Sequence, residues 1–341
     1  MSAGRLARAL RDPASALALD EGDWAGLIAA ARAERLDGSL ACRLEGLPLP
    51  DPVARIMADA RAAAEEARRS ALWEVEMARR AIAPLGAPVI LLKGAAYAAA
   101  GLDAARGRAI GDLDILTPRA DLDRVEAALI DAGWEWAKPD PYDDAYYRRW
   151  MHELPPLIHA ERDRMIDVHH TILPLTARPK PDAGALIAAR VGLGEGLAAL
   201  CAEDMLVHAA AHLLADGDLS GGLRNLWDID RLLREHGAVD GYWARLDERA
   251  RLHGLSTAVA RALRLARRIF ATPVDDRLAA RAGALDGLFE RRLLARDGWG
   301  RATRPVARSA FYARAHLMRM PPALLARHLW IKSRRRLSPM S

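Results

Sequence analysis

Asp112 and Asp114 stand two residues apart in the run Gly111-Asp112-Leu113-Asp114-Ile115-Leu116. The apolar residues around them read as a buried strand, on which side chains i and i+2 share a face, so the two carboxylates project side by side. Like charges at that separation repel. An otherwise apolar strand accommodates them where a cation sits between, and a hard divalent ion with oxygen ligands is the usual occupant, which makes Mg²⁺ the first choice. A third carboxylate occurs downstream in Met165-Ile166-Asp167-Val168-His169, after the charged turn 161–164. Period-2 alternation puts Asp167 and His169 on one face, opposite Ile166 and Val168.

Elements of the right kind flank these residues. Val89, Ile90, Leu91 and Leu92 form a short apolar run between Gly86 and Pro88 on one side and Lys93-Gly94 on the other, and are expected to form a buried strand, with a helix over 95–100. Thr117-Pro118 ends the strand that carries the aspartates. Leu122, Val125 and Leu129 then recur at helical spacing over 119–132, before Gly133. The aromatic, proline-rich stretch 134–149, with Tyr142, Tyr146 and Tyr147, reads as a loop or excursion on the side of the aspartates, where an acceptor or base could stack. Residues 152–159 read as another strand, confined by Pro155-Pro156 to an edge or a bulge. His152 and His159 could approach the metal site, with surface placement as the default.

An Asp-x-Asp pair alone most often marks a strand end or a helix cap, and its context is what carries weight here. Leu92-Lys93-Gly94, Arg108, Gly111 to Leu116 and Ile166-Asp167-Val168-His169 resemble a family of largely uncharacterised bacterial nucleotidyltransferases. They belong to the superfamily whose fold is like the palm of DNA polymerase beta. The resemblance implies an α+β fold, a mixed sheet flanked by helices with a mostly α-helical second lobe. It implies two metal ions, Mg²⁺ or Mn²⁺, on Asp112, Asp114 and Asp167, and transfer of an NMP group from an NTP, such as ATP, with release of pyrophosphate. The acceptor is unidentified: a small molecule, a cell-envelope precursor or a protein. Lys93, Gly94, Arg108, Gly111 and His169 are the implied nucleotide-binding residues. The superfamily's first motif is Gly-Ser, whereas this chain has Lys93-Gly94, as this family does. Gly94 would let backbone approach a phosphate, and Lys93 would add a point charge. The alternative is a non-catalytic nucleotide- or partner-binding module that kept the fold.

Most of the chain outside 88–175 reads as helix. Helices are expected near 5–10, 24–36 and 52–85, and, beyond the proline-rich link 174–181, over 183–191, 197–215, 223–236, 241–253 and 255–271. The organisation read from this is N-terminal helices on the catalytic lobe (1–85), a nucleotidyltransferase core (86–175), a helical lobe (182–300) and a basic amphipathic segment (301–341). His208 and His212 share a helix face at a spacing that can bind zinc, but no glutamate or cysteine is placed to complete a site. Packing, or contacts from His212, Arg224 and Asp228 into the cleft between lobes, is the stronger reading.

At 341 residues and 51% hydrophobic composition the chain can bury substantial cores. Its charge is uneven. Residues 301–341 hold ten arginines or lysines and no acidic residue, which leaves 40 basic against 45 acidic residues in the body. Apolar residues beside the cluster Lys332, Arg334, Arg335 and Arg336 would suit peripheral contact with anionic lipid at the inner membrane surface, or with nucleic acid; the plainest reading is a helix packed on the body with solvated arginines. A tail-driven adaptor for either surface is the weaker third function. Two distant cysteines, Cys42 and Cys201, offer no disulfide framework. No signal peptide or transmembrane segment is evident, so a cytoplasmic protein is expected.

Overall fold

Short apolar triplets bounded by turn residues supply most of a single mixed sheet. Its strands are β1 (Val89–Leu91), β2 (Leu113–Leu116), β3 (Trp134–Trp136), β4 (Leu157–His159), β5 (Met165–His169), β6 (Val191–Gly194) and β7 (Leu197–Ala199). The seven strands are ordered β3-β4-β5-β2-β1-β7-β6. This computed structural model describes residues 2–280, 283–323, 325 and 326. β2 lies at the centre, with every residue buried, antiparallel to β1 and parallel to β5. A strand so placed is covered on both faces and reads as a continuous apolar run, which makes the aspartate inside it conspicuous.

Three stretches differ from the sequence expectation. Residues 134–149 are not a loop: β3 is followed by the helix Pro141–Trp150. Asp140 caps that helix, its carboxylate accepting from the backbone N–H of Tyr142 (2.8 Å) and Asp143 (3.0 Å), and Pro141 fills the first helical position, where no N–H is needed. Of 152–159 only 157–159 is strand, and it pairs on both sides, with β3 and β5, so it is not an edge. The prolines precede it and cost it no ladder bond. The third stretch, 191–199, was expected to be helical at both ends. It forms a hairpin instead, with Gly194, Glu195 and Gly196 all at positive φ, and adds β7 in parallel to β1. Leu197, Ala198 and Ala199 favour helix locally, but pairing with a buried strand overrides that preference. The sheet therefore takes strands from both sides of the 174–181 link.

Helices cover the sheet. The 32-residue helix Asp51–Ile82 packs on Lys93–Ala99 and Leu122–Asp131, and its buried Glu74 binds Arg162 beyond β4 at 2.8 Å. The first helix, Ser2–Arg11, packs against Ser256–Phe270 of the helical lobe. That lobe also contains Ala202–Ala211, Gly222–His236 and Tyr242–Leu252. Asp204, fully buried between these helices, is bound by Arg249 at 2.8 Å. The helix Pro305–Arg319 packs on the body through Phe311, whose ring meets that of Phe289 edge-on at 4.9 Å. The polybasic cluster at 332–336 lies outside the described residues.

A buried ion pair joins the sheet layer to the helical lobe. Arg108 Nε donates to Asp228 Oδ2 at 3.0 Å and Oδ1 at 3.2 Å, with both side chains under a tenth exposed. Removing one partner strands the other charge, so Asp228→Ala is expected to cost about 3–5 kcal/mol, seen as a fall of several degrees in Tm. The double replacement Arg108→Met/Asp228→Leu should recover much of that loss. A wild-type Tm in Asp228→Ala would show that the pair does not join the layers.

Candidate active site

Asp114 sits in β2 directly opposite Asp167 in β5, and the parallel register continues from Leu113↔Ile166 to Leu116↔His169. Cross-strand partners point to the same face, so Asp114, Asp167 and His169 share one surface of the sheet. Asp112 lies just before β2 and is exposed. The Leu92 amide donates to the Asp114 carbonyl at 2.9 Å, which fixes the end of β1 and the start of the next helix beside the carboxylates.

At that strand-to-helix elbow Lys93 adopts φ +49°, a left-handed conformation that L-residues avoid. The strained backbone aims its ammonium at the sheet. Lys93 Nζ donates to Asp114 Oδ1 at 2.6 Å, and His169 Nε2 lies 3.0 Å from the same oxygen. Burial opposes ionisation of Asp114, but Lys93 and His169 outweigh it and hold the carboxyl well below the usual range. Lys93 is held above its ordinary value in turn, since Asp114 overcomes the effect of burial.

Asp167 is in the opposite condition. Burial, with Glu153 and Asp114 close by, pushes its carboxyl up to about 7. Its Oδ1 is buried with no hydrogen-bond partner among the described residues. A crowded carboxylate with an orphaned oxygen beside a second aspartate suits a divalent cation that Asp114 and Asp167 would hold, whereas Asp112, exposed and just before β2, is not gathered with them into a converging group of three among the described residues.

Glu153 was not singled out in the sequence. It reaches the site because a single bridge pairs it antiparallel with His169, and the Leu154 amide donates to the Val168 carbonyl at 2.9 Å. Its Oε2 lies 3.4 Å from His169 Nε2 and 3.6 Å from His152 Nε2. No local pattern marks this glutamate, since its neighbours are brought in by β5. His152 is buried at the site, while His159 stacks edge-on against Trp134 and takes no part. The helix Pro141–Trp150 lies alongside: burial, then the charges of Glu153 and Asp167, pushes the Tyr147 hydroxyl up to about 12.

The remaining nucleotide-binding candidates line or flank a cleft of about 30 Å³ beside Lys93, bounded by Tyr97, Arg108, His208, His212 and Arg224. Arg108 is engaged with Asp228, and its guanidinium, Nη1 foremost, occupies the space a side chain at Gly94 would take. The absence of a side chain at Gly94 therefore makes room for that guanidinium. Gly111 is exposed next to Arg35, and Arg106 pairs with Glu45 at 2.9 Å, away from the cleft. Arg224 donates to the Ala109 carbonyl at 3.3 Å, and burial together with the nearby Arg108 lowers it to about 10. His208 and His212 are both held neutral by burial and by Lys93. His212 begins a π-helical turn, His212–Asp216, a distortion often found at functional sites.

A central strand that carries Asp114, with Asp112 just ahead of it, a carboxylate in register on its parallel neighbour, and a lysine–glycine elbow define a nucleotidyltransferase-like α+β protein. Residues 20–271 match the family model described as uncharacterised nucleotidyltransferase, and the chain belongs to that family. No curated protein and no solved structure matches the chain.

Two predictions follow from the geometry. A Cβ at position 94 would stand 1.9 Å from Arg108 Nη1, and Arg108 is pinned by Asp228, so Gly94→Ala is expected to destabilise the fold by about 1–3 kcal/mol in a denaturant titration. Asp167 titrates near 3.8 when unfolded and near 7 when folded, so between those values the folded chain binds more protons. Its contribution to stability therefore falls as pH rises across that window. Metal-free Asp167→Asn should melt higher than wild type at pH 8 and nearly level with it at pH 4; a difference independent of pH would refute the assignment.

Proposed function

We propose that this chain is a metal-dependent nucleotidyltransferase that moves an NMP group from an NTP to an acceptor and releases pyrophosphate. The observation that carries this reading is the register of Asp114 with Asp167 on adjacent parallel strands, with Asp112 two residues before Asp114. Mg²⁺ or Mn²⁺ held by these carboxylates would neutralise charge on the leaving pyrophosphate and lower the acceptor's pKa. Asp114 stays ionised beside Lys93 and so is ready to bind a cation. Without a cation Asp167 is pushed up to about 7, and a divalent ion bound there would hold it ionised and relieve its repulsion from Asp114 and Glu153. Lys93, about a quarter exposed, faces the cleft that Arg224 also lines, and negative charge at its mouth would relieve the crowding of Arg224 against Arg108. Neutral His208 and His212 add no competing charge there. The acceptor is a small molecule, a cell-envelope precursor or a protein; the sheet and cleft favour none of these.

One observation favours a second reading. Lys93 already supplies a cation to Asp114, at 2.6 Å, as it would in a non-catalytic module that binds nucleotide or a partner. Pyrophosphate release from each of the four NTPs, with Mg²⁺ or Mn²⁺ and cell extract as acceptor source, separates the two. Release is expected with at least one NTP, falling at least ~100-fold in Asp112→Ala/Asp114→Ala. Metal-dependent NTP binding without any release would favour the second reading.

A further inference from the structure

Beside the aspartates, His152, Glu153 and His169 turn one ligand atom each toward a common point, all within 4.8 Å of one another. Among the described residues this is the one group of histidine, cysteine or acidic side chains arranged so. We propose that His152 Nε2, Glu153 Oε2 and His169 Nε2 form a site for a borderline divalent transition ion of the Zn²⁺ class, adjoining the carboxylate site that suits Mg²⁺ but built from a different set of donors.

Two of the three ligand separations fit such an ion closely, and the third is bounded by 4.8 Å. Zn²⁺ binds histidine nitrogen and carboxylate oxygen at about 2.0–2.2 Å, which in a tetrahedron separates ligand atoms by roughly 3.4 Å. Glu153 Oε2 lies 3.4 Å from His169 Nε2 and 3.6 Å from His152 Nε2. The two rings, with centroids 5.1 Å apart and planes inclined at 46°, converge on that oxygen. Burial is the second consideration. His169 is 1% exposed and His152 9%, so both imidazoles have given up water. Neither Nδ1 has a hydrogen-bond partner among the described residues, and both rings direct their polar contacts through Nε2. His152 is held neutral by burial, the form that ligates. Donor chemistry separates the metal classes: two imidazoles and one carboxylate match first-row ions such as Zn²⁺, Co²⁺ or Fe²⁺, whereas Mg²⁺ prefers oxygen throughout. Three protein ligands with an open fourth position is also the usual composition of a reactive zinc site. Asp114 Oδ1, 3.0 Å from His169 Nε2, borders that position, so a bound ion would sit next to Asp114 and take the place of the proton that Nε2 shares with it.

This assignment does not depend on nucleotidyl transfer, and its test reads metal binding without NTP. The full chain, stripped with chelator, is titrated with Co²⁺ and followed by visible absorption. One equivalent is expected to give the intense bands of four- or five-coordinate cobalt, displaced by Zn²⁺ but not by a hundredfold excess of Mg²⁺. His152→Gln and Glu153→Gln should each weaken Co²⁺ binding by about 100-fold, while Asp112→Asn leaves the bands in place. Near-UV circular dichroism confirms folding, and the isosteric Glu153→Gln carries the test if His152→Gln does not fold. The proposal is overturned if stoichiometric Co²⁺ does not bind, if Mg²⁺ displaces it, or if Asp112→Asn abolishes the bands while the two Gln variants keep them. If neither Gln variant folds, the selectivity of the wild-type protein for Zn²⁺ over Mg²⁺ decides: equal displacement rejects the site.

Discussion

A carboxylate inside the central strand of a sheet is costly to ionise, because burial removes the water that would solvate it, and a second carboxylate in register across the next strand raises that cost. Asp114 and Asp167 are placed in this way. The surrounding structure divides the problem between them. Asp114 receives Lys93 and His169 and keeps its charge, whereas Asp167 receives neither ammonium nor guanidinium and is driven toward its neutral form. Two chemically identical side chains thus acquire different proton affinities, the pattern by which acid and base roles separate in catalytic pairs.

Holding Lys93 in position requires several other features. Its left-handed backbone costs about 1–2 kcal/mol, sustained by the β1–β2 ladder on one side and the helix Lys93–Ala99 on the other. The next residue must be glycine because Arg108 occupies the space above it, and Arg108 is there because Asp228 on the helical lobe binds it. The elbow, the arginine and the second lobe are therefore one connected arrangement. A change at Gly94 or Asp228 is therefore expected to reach the lysine that neutralises Asp114.

The same logic accounts for the histidines and Glu153. Glu153 adds a further negative charge near Asp167, which makes the face more acidic than the Asp-x-Asp pair implies. Two buried imidazoles converge on its carboxylate, and a cation at that point would offset the charge that Lys93 leaves uncompensated. Tyr147, carried by a helix where a loop was expected, borders the same charges, and they add to burial in raising its hydroxyl.

Local sequence was enough to determine the strands around Asp114 and Asp167, because alternation and apolar runs are properties of a few adjacent residues. Asp140-Pro141 carried a helix-start signal as well, but the aromatic and proline content of its surroundings favoured a loop reading. The hairpin 191–199 was not legible, because its alanines and leucine prefer helix until β1 offers a partner. The cluster around Glu153 was hidden for the same reason. Its members come from 152–153 and 169, and only the bridge to β5 brings them together. Sequence by itself determined which residues carry charge and which face of each strand they occupy, since both follow from residue identity and a two-residue repeat. Tertiary structure alone decided which carboxylate stays ionised, which arginine is taken up by an ion pair, and where the two imidazoles converge, since those depend on distances and burial between segments far apart in the chain.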